Sequence, residues 1–120
     1  MPFNYLLTNL LVDVPAAVGA IFLDDEGETI ECVTRHRDPY EMKVEGAYHS
    51  IFKRRLEAIA ALSGSGRLLS YQMVGRRLTA LTEVLPDGYY VVLVMDRTGS
   101  ESVARHHLER AARIIVRELS

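Results

Sequence analysis

The sequence is short of most things that disulfide closure, membrane insertion or nucleic-acid binding would need. Its 120 residues hold one cysteine, Cys32. No disulfide can close within the chain, which suits a reducing cytosol. Basic charge is not in excess. The net charge of -2 removes the electrostatic case for nucleic acid or an anionic membrane. No apolar run approaches the ~18 residues needed to cross a bilayer. The opening "MPFNYLLTNLLVDVPAA" lacks a basic start and is interrupted by Asn9, so it reads poorly as a secretion signal. A cytoplasmic protein is expected. Repeats, low-complexity tracts and linkers are also missing, which leaves one domain over residues 1–120 with one core.

Chemistry-bearing motifs are scarce as well. No nucleophile, base and oxyanion donor converge, so no catalytic residue is assigned and no cofactor is expected. His106 and His107 are adjacent and point about 100° apart on a helix, while His36 and His49 lack a spaced partner; a metal site is not expected. "SGSGR" at Ser63–Arg67 has neither the lysine nor the following helix of a phosphate loop and reads as a helix-to-strand connection. Cys32 reads as a small core residue. "RTGSE" at Arg97–Glu101 reads as a helix cap rather than an anion site.

What is present is regular patterning. Phe3, Leu6, Leu7, Leu10 and Leu11 mark one face of a first helix, which Pro15 stops. Strands follow at about Val18–Leu23 and Glu28–Thr34, joined by "DDEG", in which Gly27 can take positive φ. Asp38, Pro39 and Glu41 supply cap, first-turn proline and capping-box carboxylate for a second helix to about Leu62. Three strands are expected at about Leu68–Val74, Leu78–Leu85 and Tyr89–Met95. Thr98 is expected to cap a last helix. Its apolar stripe is Ala104, Leu108, Ala111, Ile115 and Leu119. Glu101, Arg105, Glu109 and Arg113 form an ion-pair ladder along its outside.

Two hairpin runs separated by a helix predict an α+β, three-layer fold with one mainly antiparallel sheet. The continuous apolar runs "AIFL" and "YYVVLVM" belong at its centre and the charge-bearing second strand at an edge. Short turns join the last three strands, giving the order 2-1-5-4-3. The third strand then forms the other edge, with no proline and no charge from Leu68 to Val74. Such an edge invites pairing with a second copy about a two-fold axis.

"VPAAVGAIFLDDEGETI" and "LTALTEVLPDGYYVVLVMDRTGSESVARHHLERAARII", with the helix between them, resemble the roadblock family: roadblock-type dynein light chains and their bacterial and archaeal relatives. The likeness runs from about Leu6 to Leu119; Ala17 stands where many relatives carry glycine. It implies a five-stranded sheet with helix two on one face and helices one and three on the other. It also implies a homodimer built on strand three and helix two, with a non-enzymatic role. Relatives regulate or activate small Ras-like GTPases in cell polarity, motility or signalling. Others are structural adaptors of motor or signalling complexes. A small-molecule sensor or enzyme is a third, weaker class, because no site chemistry supports it.

Helix two can be laid on a wheel at about 100° per residue. One arc holds Tyr40, Val44, Ala47, Tyr48, Ile51, Phe52, Ala58, Ile59 and Leu62 and is wider than seating on a sheet requires. One flank is expected on the sheet and the other on a partner helix. With strand three this assigns Val44, Tyr48, Ile51, Arg55, Leu69, Tyr71 and Met73 to the dimer interface. Arg55 either snorkels at the rim or pairs across the dimer. The opposite arc, Met42, Gly46, His49, Ser50, Lys53 and Glu57, is expected to face outward and, by the resemblance, to bind the GTPase. Gly46, costing about 1 kcal/mol in a helix, suggests that something approaches its backbone closely, which is read here as the docking GTPase.

Overall fold

The structure, a computed structural model, describes residues 3–120. The five apolar residues at helical spacing form α1, Phe3–Asp13, with Leu7, Leu10 and Leu11 buried. Strands β1 (Ala17–Leu23) and β2 (Thr29–Thr34) form the first hairpin. Its turn is closed by Gly27 at φ 86° and by the Asp24 carboxylate, which accepts from the backbone of Glu26 and Glu28. Helix α2 spans Pro39–Leu62; Asp38 caps it by accepting from the Tyr40 amide, with Pro39 in the first turn. Strands β3 (Ser70–Val74), β4 (Leu78–Val84) and β5 (Tyr90–Asp96) follow. Helix α3 (Glu101–Leu119) ends the chain. Its cap is Ser100, which accepts from Val103, rather than Thr98; the Thr98 amide and hydroxyl instead bond the Asp96 carboxylate.

All strand pairs are antiparallel and the order is β2-β1-β5-β4-β3, as the burial argument requires. β1 and β5 sit centrally, nearly every residue buried on both faces. One core joins α1 and α3 to the sheet through Leu7, Leu10, Phe22, Leu93, Leu108 and Ile115. A smaller one, including Ile21, Leu23, Met42, Tyr90 and Val92, lies under α2. The Glu101–Arg113 ladder is not confined to the outside. Glu101 accepts from the Gln72 amide at 2.7 Å, Arg105 donates to Gln72 and Arg105 lies 3.9 Å from Glu83. These residues reach the β3–β4 edge because α3 crosses it there. No helix among the described residues is long and apolar enough to cross a membrane.

Candidate interaction surface

Helix α2 turns the opposite way round from the sequence-based expectation. Met42, Gly46, His49, Ser50 and Lys53 are its buried residues and face the sheet; they do not form an outer face, so a partner cannot dock on them. Glu57 alone of that set keeps a half-exposed side chain, 3.7 Å from Lys53. The reason is fit. At Gly46 a Cβ would stand 2.9 Å from Leu23 and 3.1 Å from Ile21, so the close approach that glycine signalled is that of the protein's own sheet. The Gly46 carbonyl also accepts from the buried Tyr90 hydroxyl at 2.9 Å. Met42 fills the space over Gly19.

Polar residues on this face survive burial because each finds a partner. Lys53, with no exposed surface, lies 2.7 Å from the Asp25 carboxylate of the β1–β2 turn and over the Tyr90 ring. The Lys53 hydrogen bond holds the Asp25 carboxyl below its ordinary range. His49 Nδ1 is 2.6 Å from the Tyr71 hydroxyl on β3. Its Nε2 sits 3.5 Å from Glu45, which is clamped by Arg37 at 2.5 Å. Burial pushes the Glu45 carboxyl up, but hydrogen bonds from His49 and Arg37 outweigh it, leaving the group below its usual value. Burial also raises the Tyr71 phenol to about 12. This group was not read from the sequence: Glu45 lies one turn before His49, a spacing that could have flagged the pair, while Arg37 and Tyr71 join it through tertiary packing.

The outward face of α2 is the apolar arc. Tyr40, Val44, Tyr48, Ile51, Phe52, Ile59 and Leu62 are all exposed, Leu62 by 89%. On β3, Leu69 (60%), Met73 (46%) and Val74 are exposed as well. Only the Phe52 flank of the arc reaches the sheet among the described residues, over Tyr71 and Met73 at the β3 edge, and most of the arc is left uncovered. Two shallow grooves meet at Phe52 and Met73, where α2 overhangs the β3 edge. One, about 450 Å³, is walled by Tyr40, Val44 and Tyr48; the other, about 290 Å³, by Arg55, Leu56 and Tyr71. Of the expected interface residues, Val44, Tyr48, Ile51, Arg55, Leu69 and Met73 thus lie on one exposed surface. Tyr71 is half-buried beneath it.

The two sheet edges are treated differently. On β2, the Glu31 carboxylate accepts from the Cys32 amide at 3.2 Å and from Asn4 of α1 at 3.3 Å. A charged side chain is thereby held along that edge, which discourages strand addition. β3 carries no such guard.

The architecture is shared with known proteins. Similar solved structures include an MglB with a tetrameric arrangement, 20% identical over 96% of this chain and 85% of that one, at TM-score 0.88. The gliding protein MglB of Thermus thermophilus is 20% identical, with 96% and 86% covered, at 0.87. A roadblock/LC7 domain from Streptomyces avermitilis is 15% identical, with 96% and 95% covered, at 0.87. The chain has the roadblock fold. No protein-family model and no curated protein matches the sequence. At these identities the shared roadblock fold speaks for architecture alone, and the surface just described belongs to this chain's own residues.

Proposed function

We propose that two copies of this chain pair through β3 and the adjoining flank of α2, and that the dimer regulates a small Ras-like GTPase without chemistry of its own. The observation that carries the reading is the apolar band on α2 and β3, left uncovered in the single chain. Isolated apolar residues are ordinary on a surface, whereas a contiguous band marks an interaction site. The band is also wider than one neighbour needs. On the wheel, Tyr48, Phe52 and Ile59 lean toward β3 and suit the second copy. Tyr40, Val44, Ile51 and Leu62 form the crest, which stays open when α2 lies beside its mate; Val44 and Ile51, expected at the dimer contact, are assigned here to the crest instead.

A crest on a wide sheet makes a shallow platform. It suits a protein partner rather than a small ligand, which takes a concave pocket. The roadblock resemblance supports a GTPase, in its GTP-bound form, as that partner. The GTPase contact expected of Met42, Gly46, His49, Ser50, Lys53 and Glu57 thereby moves to the crest; Glu57, half-exposed beside Lys53, stays on the sheet side of α2.

Light scattering after size exclusion is expected to give twice the 13.5 kDa chain mass; a monomer at micromolar concentration overturns the dimer. The GTPase reading is tested by titrating the dimer against Ras-like GTPases of the same organism, loaded with a non-hydrolysable GTP analogue. Binding that Ile51→Glu abolishes, with the dimer intact, supports it, and absence of binding overturns it. Timing GTP hydrolysis in the complex then separates an activator, which accelerates it, from a scaffold, which leaves it unchanged.

A further inference from the structure

Strand β3 has an inner and an outer side within the plane of the sheet. Val84 donates to Leu69 at 2.9 Å, and Gly75 donates to Leu78 at 2.8 Å. Together with the register, Ser70 opposite Glu83 through Val74 opposite Thr79, these rungs set the phase of the ladder. Hydrogen-bonded and non-bonded pairs alternate in an antiparallel ladder. Leu69, Tyr71, Met73 and Gly75 therefore direct their backbone groups to β4. Ser70, Gln72 and Val74 direct theirs to the open edge. Among the described residues, nothing takes those N–H and C=O groups.

We propose that a second copy of this chain adds to that edge antiparallel, with Gln72 on the two-fold axis. This rests on the dimer proposed above and specifies its register. Five placements of the axis, one at each residue of β3, keep the outward groups in phase. With Gln72 on the axis it bonds the partner's Gln72, while Ser70 bonds the partner's Val74 and Val74 the partner's Ser70. All three outward residues are then satisfied within the strand, in three pairs of two bonds each. Every other placement leaves at least one of the three without a partner inside β3.

The side chains agree with this register. Tyr71 falls opposite the partner's Met73 on the α2 face, twice by symmetry. The two stand at a closely spaced, non-bonded position where a thioether packs well on an aromatic ring. On the other face two Gln72 side chains meet near the axis, each already held by Glu101 and Arg105 of its own α3. A neutral amide there brings no like charges together. Because Glu31 guards β2, pairing ends with one open edge joined to another.

Three single-cysteine variants, each on a Cys32→Ala background, test the register by oxidation and non-reducing electrophoresis. A disulfide requires Cα atoms about 4.4–6.8 Å apart, which directly opposed residues satisfy and residues offset by two positions do not. Gln72→Cys is expected to shift wholly to a covalent dimer. Tyr71→Cys and Met73→Cys are each expected to stay single alone and to crosslink when mixed. A covalent dimer from Tyr71→Cys or Met73→Cys alone, with Gln72→Cys uncrosslinked, overturns the register and leaves the dimer standing. No crosslink in a protein that scatters as a dimer overturns the register and leaves the dimer standing. No crosslink in a protein that scatters as a monomer overturns both. Met73→Cys touches no internal hydrogen bond and keeps the test valid if Tyr71→Cys, which loses its bond to His49, folds poorly.

Discussion

Lys53 and Asp25 divide one ion pair unequally, which makes their substitution effects unequal. Lys53 is fully buried while the Asp25 side chain is half-exposed. Removing the carboxylate leaves a buried ammonium with Glu57, at 3.7 Å, as its remaining carboxylate neighbour among the described residues, besides the Tyr90 ring; removing the ammonium leaves a carboxylate that water can reach. Asp25→Asn is therefore expected to cost about 2–4 kcal/mol and Lys53→Met under about 1.5 kcal/mol, read as midpoints of urea unfolding. Equal losses would mean that the pair contributes only through packing. Glu83 offers a test against pH. Burial, then the neighbouring Glu109, pushes its carboxyl up to about 7 against the opposing pull of Arg105 and Arg113. The folded state then holds this proton more tightly than the unfolded chain does. Its contribution to stability is full below about 4.5 and declines as pH rises to about 7. Glu83→Gln is expected to flatten that window and to stabilise the protein by about 2–3 kcal/mol at pH 8. A variant whose stability tracks wild type at both pH 5 and pH 8 would show that the Glu83 proton is not linked to folding.

At the scale of elements, α2 is a helix with two usable faces. Its sheet side is built from small, flexible or paired side chains, because Gly46 must lie against Leu23 and Ile21 and Ser50 against Gly27. Its other side keeps the bulky residues that would not fit there. The edges are likewise built for different ends. β2 pairs only with β1 and carries Glu31, tethered by Asn4 of α1; β3 is bare. Glu31→Ala frees the outward Cys32 amide and removes the charge from that edge. Light scattering is expected to show species larger than a dimer for Glu31→Ala, growing with concentration, while wild type stays at one mass. If the variant keeps the wild-type mass over that range, the edge is closed by α1 and α2 and not by the carboxylate.

At the scale of the whole molecule, the uncovered surface is apolar, and Arg55 is the only ionisable residue among those assigned to the dimer contact besides the tyrosines Tyr48 and Tyr71. Met73→Lys sets an ammonium beside the axis where pairing would desolvate it. The dimer dissociation constant is expected to rise by at least about tenfold, roughly 1.4 kcal/mol, with the fold unchanged by circular dichroism. Tyr71→Asp is expected to weaken the dimer too, but it also breaks the bond to His49, so Met73→Lys isolates pairing from folding. Unchanged dimerisation of Met73→Lys would take β3 out of the interface.

The order of elements, the strand order and the two edges were readable from the sequence, because they follow from local signals. Turn residues at Asp24–Gly27 and Pro86–Gly88, the cap at Asp38 and the burial of "AIFL" and "YYVVLVM" each act over a few residues. Even the broad apolar arc of α2 was legible as an arc. Which way it faces was not. An apolar stripe looks the same whether it will cover its own sheet or another protein, and the deciding contacts come from far along the chain. Asp25 reaches Lys53 across 28 positions, Tyr71 reaches His49 across 22, and Tyr90 reaches the Gly46 carbonyl across 44. Only when the sheet is assembled do those groups converge beneath α2 and make its polar face the one that can be buried. By itself the sequence determined the sheet, its order and its unguarded third strand; the tertiary structure decided that α2 turns its hydrophobic residues outward, because close packing over Gly46 and counter-ions for buried charge exist only on the side that faces the sheet.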